Sequence, residues 1–559
     1  MFYRRKKLKK VIHGVHEKED LIDLLRVCAI QKDLQRGITL HADILKKGLL
    51  KKSPYVASAL VNMYAKCGNL AKAREILEEV PCRDVVIWSA MLGGYAQHGK
   101  TNESFICFEM MQNEGITPDA FILASVLKAC ANIKNIEQGK RIHDEIVSRA
   151  LLVDKDDMVL GNALLDMYAK CGLILEAEDV HKGLPHSDLV TWNALLSGYV
   201  LAKQDHQALG CFDRMHNQGL SPDIITFTCI LKACGGIGAI DKGKQIHNQI
   251  VTRCLLNKDV LLGTALVDMY AKCGALTKAQ QMLDELPLQH VVSWNALIAG
   301  YAQQGQCHEA LQCFKRMQSE SLYPDSVTFI CILKACGSAG AIDKGNQIHN
   351  EVVLRGLLEK DIAIGNVVVD MYAKCGVLAK AHEVLEELPV RDAISWNSLI
   401  GGYAEQGKGG KVLDCFEQMQ LEGISPDEGT FRGVLSACSH SGLLAEAQFI
   451  FQNMAIMYGI TPNLEHYTCM VVVFGYTGYF DKVASLIEVM PCFHYHAVWL
   501  ALLGCCEKWG NVKLGTFVFD QVLQLDDVCT TAYVLMANIF ATAGMHEDAE
   551  TVVKYMLPQ

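Results

Sequence analysis

Tryptophan recurs at an almost fixed interval along this chain. Trp88, Trp192, Trp294, Trp396 and Trp499 stand 104, 102, 102 and 103 residues apart, and the text around three of them is closely similar: VTWNALLSGY, VSWNALIAGY and AISWNSLIGGY. A period of this kind constrains the fold more than any single motif, because it calls for an array in which each unit packs on its neighbours. It also explains why 559 residues contain no Pro-, Ser- or charge-rich linker, although such a length is enough for about three or four separate domains.

Three related segments make up each period. Val291 to Asp325 (35 residues) opens near Trp and ends in Pro-Asp, Ile224 to Asp259 (36 residues) carries LKAC and GKQIH, and Val260 to His290 (31 residues) carries ALVDMYAKCG. The longer first interval comes from two extra residues in Ala120 to Asp157. In Val291 to Asp325, Trp294, Leu297, Ile298 and Tyr301 recur at helical spacing, as do Ala310, Cys313, Phe314 and Met317, so two helices each present one apolar face. Gly305 marks the break between them, Pro324 halts the second, and Asp325 stands where its side chain caps the next helix. One hairpin cannot bury its stripe alone, whereas a stack of hairpins makes a continuous core. The expected fold is all-α, a superhelical α-solenoid whose concave surface is lined by first helices.

Half the residues are hydrophobic, 8% are aromatic and 20% are charged, which excludes a disordered or collagen-like chain. The most apolar patches, such as Ala497 to Cys506, are too short to span a bilayer, so no membrane association is expected. The net charge is -10. Arg4, Arg5, Lys6, Lys7, Lys9 and Lys10 contribute +6, leaving -16 for residues 11–559, the opposite of a nucleic-acid binder's overall basic footprint. The 23 cysteines include no Cys-x-x-Cys and recur in KAC, in AKCG and before Phe, as small buried hydrophobes in a reducing compartment.

The W-x2-L…Y and A-x3-F spacing would also satisfy a tetratricopeptide repeat, but that repeat is about 34 residues long. The 35-, 36- and 31-residue units and the WNxLIxGY text fit another family better. Residues 18–559 resemble a plant pentatricopeptide repeat protein of the class built from alternating P, L and S motifs. On this resemblance residues 1–17 are a basic N-terminal segment, and 18–495 are about fourteen motifs in the order L, S, P. Residues 496–559 resemble E motifs, cut within the second. The resemblance implies a right-handed superhelix of helix-turn-helix repeats that binds single-stranded organelle RNA, one nucleotide per repeat.

The reading residues implied are the fifth and last of each P or S motif. In P motifs these are Ser89 with Asp119, Asn193 with Asp223, Asn295 with Asp325 and Asn397 with Asp427. In S motifs they are Ser58 with Asp84, Asn162 with Asp188, Thr264 with His290 and Asn366 with Asp392. Val86, Val190, Val292 and Ile394 occupy the second position of the P motifs, which holds the base; Ala363 is small there. An Asn amide offers donor and acceptor, a Ser or Thr hydroxyl is shorter and rotatable, and Asp only accepts. By the family's code Asn with Asp favours U, and Ser or Thr with Asp favours G. Ser58 through Asp427 then read 5′-G-G-n-U-U-n-n-U-n-U-U, the fifth residues of the L motifs (Ile22, Ala124, Thr228, Ile330, Arg432) being left unread. Taken singly, each Asp is more readily an N-cap than a ligand; recurrence of the pair carries the functional reading.

Lys66, Lys170, Lys272 and Lys374 end first helices, and Lys128, Lys232 and Lys334 lie in first helices of L motifs. They make either a phosphate track or intrahelical pairs such as Asp268 with Lys272. The acidic pairs Glu78-Glu79, Asp284-Glu285 and Glu386-Glu387 are expected on the outside. Relatives of this class often end in a zinc-dependent cytidine-deaminase-like DYW domain. His143-x-Glu145 and His349-x-Glu351 match one of its elements by letters, without a Cys-x-x-Cys downstream, and read as repeat packing. The expected protein is therefore an RNA-recognition factor with no cofactor, no metal and no catalytic residue. It would specify C-to-U editing sites with a DYW-type deaminase or other editing factor supplied in trans through the E region. The alternatives are a factor for RNA stability or splicing, or a protein-binding helical scaffold. The basic start reads as part of an organelle-targeting peptide but lacks Ser and meets Glu17 and Glu19 early. Mitochondria, then chloroplasts, are the compartments the family implies.

Overall fold

The computed structural model describes residues 20–50, 53–81, 83–152, 158–256, 259–490, 495–525 and 529–556. The basic segment 1–17 lies outside them. Every regular element among the described residues is a helix, and the chain forms two compact units, residues 1–288 and 289–559.

In the first unit the first helices of successive hairpins are Pro54–Lys66, Val85–Gln97, Ala120–Ile133, Met158–Lys170, Leu189–Leu201, Ile224–Ile237 and Val260–Lys272, each packed on the next. In the second unit they are Val291–Gln303, Ser326–Ser338, Ile362–Lys374, Ala393–Glu405, Glu428–Ser441, Leu464–Tyr476, His496–Trp509 and Thr530–Thr542, packed in the same way. Second helices sit in the seam between their own first helix and the following one. Each unit is thus a solenoid of helical hairpins. The 31-residue segment is short because its second helix has 10 residues, as in Leu276–Glu285 and Leu378–Glu387, where Cys307–Ser319 has 13.

Local chemistry fixes the hairpin ends. Asp188, Asp223, Asp325, Asp392 and Asp427 each accept the backbone N–H of the third helical residue, and the Thr or Ser there reaches back to complete a capping box. Such a cap contributes about 1 kcal/mol. His290 occupies the same place before Val291–Gln303 and makes no side-chain cap bond. Gly305 turns the chain between helices with φ 69°. Trp294, Leu297, Ile298 and Tyr301 are buried, as are Ala310, Cys313, Phe314 and Met317, so both apolar stripes point inward.

The repeated text outside these stripes is seam chemistry. Gly94, Gly198 and Gly402 face Ala65, Ala169 and Ala373 of the preceding first helix so closely that an added Cβ would lie 2.5–2.7 Å from the alanine Cβ. The GKQIH and DMYAKCG texts meet each other. His41, His143, His247 and His349 pair through Nδ1 with the hydroxyls of Tyr64, Tyr168, Tyr270 and Tyr372 at 2.8–3.0 Å, and a Met sulfur fills the notch above Gly37, Gly139, Gly243 and Gly345. Arg149, Arg253 and Arg355 donate to the carbonyls of Pro118, Pro222 and Pro324 at 3.0–3.3 Å, holding the Pro-Asp loop that ends each 35-residue segment.

Cysteines of the KAC text and those before Phe are buried, as expected, but Cys67, Cys171, Cys273 and Cys375 are only half-buried. Cys67, Cys273 and Cys375 are C-cap residues, and the last turn of a helix leaves a side chain partly outside the seam. All the described cysteines are free thiols.

Candidate nucleic-acid interface

The helix N-termini bring the predicted pairs together across successive hairpins. The Asn193 amide nitrogen donates to Asp223 at 3.1 Å, Asn295 to Asp325 at 2.9 Å, Asn366 to Asp392 at 3.1 Å and Asn397 to Asp427 at 2.9 Å. In each case the other end of the amide is also engaged. The hydroxyls of Thr226, Thr328, Ser395 and Thr430 donate to the Oδ1 of these asparagines at 2.6 Å. A carboxylate only accepts, so the atom facing it is the amide nitrogen and the orientation of the Asn is chemically determined. One N–H of each amide goes to the carboxylate, leaving a donor for a ligand.

Burial pushes the carboxyls of Asp188, Asp325 and Asp427 up, but hydrogen bonds from the Thr and Asn partners and backbone N–H groups outweigh it and hold them below the usual carboxylate range. They therefore stay ionised and accepting at neutral pH. The remaining predicted pairs are built differently. Thr191 donates to Asn162 at 2.8 Å and lies closer, 2.6 Å, to Asp188. Ser58 turns its hydroxyl to the carbonyl of Pro54 at 3.0 Å, and Thr264 turns its own to that of Val260 at 3.0 Å. Asp84 and Asp119 cap the amides of Ile87 and Ile122.

Beside the pairs lies a row of exposed apolar side chains. Val86, Val190, Val292 and Ile394 are 57–61% exposed, so the same apolar surface recurs beside each pair. Tyr55 and Phe121, which the sequence reading did not single out, occupy the same second place in their motifs and are also exposed. Their signal is present in the text, two aromatic residues where the 35-residue segments have Val or Ile. Two clefts open along this face. A cavity of about 870 Å³ in the first unit is lined by Tyr55, Ser58, Lys66, Val86, Ser89 and Phe121. One of about 740 Å³ in the second unit is lined by Asn397, Gly429, Arg432, Gly433, Ser436 and His440.

The lysines divide. Lys170, Lys272 and Lys374 pair with Asp166, Asp268 and Asp370 one turn back at 2.8–2.9 Å, which is the intrahelical alternative, whereas Lys66 has Asn62 in that place and lines the cleft. Lys128, Lys232 and Lys334 are exposed, and so are the three acidic pairs late in second helices. The His-x-Glu letters are seam residues: His143 and His349 bind tyrosines, while Glu145 and Glu351 pair with Arg149 and Arg355. Among the described residues no group of three His, Cys, Asp or Glu side chains is placed to hold a metal ion, and no helix is long and apolar enough to cross a membrane.

Comparison with known proteins agrees with this architecture. Residues 83–132, 289–338 and 391–440 match the PPR repeat family, 177–237 the pentatricopeptide repeat domain, and 55–85 and 162–188 the PPR repeat. A pentatricopeptide repeat-containing protein of Arabidopsis thaliana is 35% identical over 534 residues, 95% of this chain and 76% of its own. A mitochondrial one from the same plant is 36% identical over 535 residues, 95% of this chain and 52% of its own, and a chloroplastic one is 32% identical over 533 residues, 95% and 60%. The chain thus spans between about half and three quarters of the length of these relatives. The crystal structure of the maize pentatricopeptide repeat protein PPR10 aligns with a TM-score of 0.48 at 17% identity, over 96% of this chain and 93% of that one. The same maize protein in complex with an 18-nt psaJ RNA element aligns with a TM-score of 0.47 at 17% identity, over 90% and 84%. On its repeats and on its identity to the first of these Arabidopsis proteins, the chain belongs to the pentatricopeptide repeat family.

Proposed function

We propose that this protein is a sequence-specific single-stranded RNA-binding factor of the P-L-S class. It selects sites in mitochondrial or chloroplast transcripts for C-to-U editing, with the deaminase supplied by a partner docking on residues 496–559. The observation that carries the reading is the recurrence of one construction: an Asn with a fixed amide, an ionised Asp, and next to them an exposed β-branched side chain suited to lie against a base. Base edges are read by such donor and acceptor sets, and bases stack on such surfaces. The acidic total argues against nonspecific polyanion binding, which suits a protein that discriminates. The organelle assignment rests on the mitochondrial and chloroplastic designations of the relatives.

The test is binding to single-stranded RNA carrying G-G-n-U-U-n-n-U-n-U-U. Asn295→Ser and a U-to-G change at its nucleotide should each weaken binding, by roughly 1–3 kcal/mol, and together restore it. Equal affinity for scrambled RNA, or none for either, overturns the reading in favour of a protein-binding scaffold. Transcript sequencing in plants lacking the protein separates editing from stability and splicing roles.

A further inference from the structure

One set of residues is built into the interface in a position that neither the fifth nor the last residue of a motif accounts for. The third residue of the motif following each Asn is a hydroxyl: Thr191, Thr226, Thr328, Ser395 and Thr430. The third residue following Ser58 and Ser89 is Ile87 and Ile122. A hydroxyl therefore stands behind every one of these asparagines and also behind Thr264, where it is Ser293, and is absent behind the two serines. Thr226, Thr328, Ser395 and Thr430 all lie 2.6 Å from the Oδ1 of the preceding Asn and 2.8–3.0 Å from the Oδ1 of their own Asp.

The bonds around each hydroxyl leave it little freedom. Thr328 Oγ1 accepts the backbone N–H of Asp325 at 3.2 Å and donates its single proton toward Asn295 Oδ1 at 2.6 Å, nearer than Asp325 Oδ1 at 2.9 Å. Thr226, Ser395 and Thr430 repeat this arrangement with Asp223, Asp392 and Asp427. One lone pair of the amide oxygen is thereby taken, which biases what is offered to a base toward an N–H. A lone donor complements a uracil carbonyl and opposes the exocyclic amine of cytosine.

We infer that Thr226, Thr328, Ser395 and Thr430 are specificity-positioning residues: by holding the amide oxygen of the preceding Asn, each makes that Asn discriminate uracil from cytosine. The inference rests on the RNA-binding reading above and adds a residue to the recognition unit. Without the hydroxyl the Asp still faces the amide nitrogen, but the amide oxygen is released from its partner and can accept from a base amine, so the preference relaxes. At Asn162, where Thr191 lies nearer Asp188, the dependence is weaker.

The experiment uses the full chain and RNAs that differ, U or C, at the nucleotide of Asn295. Thr328→Val should lower the U-to-C affinity ratio about fivefold, the weight of one neutral hydrogen bond, while Thr328→Ser keeps it. Ser395→Ala, in another hairpin, repeats the test at the nucleotide of Asn366 should Thr328→Val fail to fold. An unchanged ratio in the valine and alanine variants overturns the inference. Side-chain amide exchange of Asn295, followed by NMR on asparagine-labelled protein without RNA, gives a second readout. Faster exchange in Thr328→Val than in Thr328→Ser supports the positioning, and equal exchange overturns it. A chain that binds no RNA yet shows the exchange difference refutes the RNA-binding reading and leaves the positioning of the amide standing.

Discussion

Gly401 and Gly402 are neighbours in helix Ala393–Glu405 and should respond oppositely to the same substitution. A Cβ at Gly401 meets nothing within 4 Å, so Gly401→Ala exchanges a flexible residue for the best helix former and should stabilise by about 0.5–1 kcal/mol. A Cβ at Gly402 would lie 2.7 Å from Ala373 Cβ, 2.8 Å from Leu378 Cδ2 and 3.3 Å from Ala373 Cα. Carbon atoms rest about 3.5–4.0 Å apart. Leu378 can rotate its methyl away, but Ala373 has no torsion to relieve the contact, so Ile362–Lys374 and Ala393–Glu405 must part by about 1 Å. Overpacking of this kind costs about 1–3 kcal/mol, which exceeds the propensity gain. Gly402→Ala should therefore be about 2 kcal/mol less stable than Gly401→Ala, the sum of a small gain and a net loss. Repeat arrays need not unfold in one step. The assay is accordingly amide hydrogen exchange across residues 362–405 in the full chain, alongside thermal unfolding. Protection should rise slightly in Gly401→Ala and fall several-fold in Gly402→Ala. Equal protection in the two variants would refute the account of the seam.

Two further outcomes follow from the geometry. Lys203 holds φ 55° where Gly99, Gly305 and Gly407 hold 66–69°; Lys203→Gly should relieve about 1 kcal/mol of left-handed strain, and an unchanged or lowered melting temperature counts against it. Burial holds the imidazoles of His41, His143, His181, His247 and His349 below the usual histidine pKa. An unfolded histidine titrates near about 6.5, so between that value and the lower folded values the unfolded chain binds more protons and stability rises with pH. The contribution of these groups is full above about pH 6.5 and is lost as pH falls through the folded values. The Asp188, Asp325 and Asp427 carboxyls, lowered in the fold, lose theirs only below the usual Asp range of about 3.9. Thermal unfolding at pH 7.5 and pH 5 should show a fall in midpoint that is smaller in His143→Gln; a flat profile, or an equal fall in the variant, refutes the assignment.

The elements that sequence made legible are those whose signals are local. Helical spacing, the Pro-Asp stop and cap and the Gly305 turn each lie within a few residues, and the buried faces and caps match them. The His143 and His349 letters were also correctly read as packing, because they recur with the repeat. What stayed hidden depends on contacts between residues about thirty apart. Nothing near Gly402 in the text shows that its missing Cβ makes room for Ala373, and nothing near Thr328 shows that its hydroxyl finishes Asn295 as well as the cap of its own helix. The lysines are a partial case: Lys374 has Asp370 one turn back where Lys66 has Asn62, a difference the text carries, but only side-chain placement shows that the first pairs with its Asp and the second lines a cleft.

The Ala–Gly seams bear on how such a chain changes length over generations. Removing residues 88–191, one whole period, sets Gly198 in the place of Gly94 against Ala65, so an alanine still meets a glycine. Removing the single hairpin 85–119 instead sets Ala129 in the place of Gly94 against Ala65, a Cβ where the seam has none. Unequal recombination between periods thus yields foldable products, whereas recombination between neighbouring hairpins yields misfits. The inheritable step in the length of this array is the full triplet of hairpins.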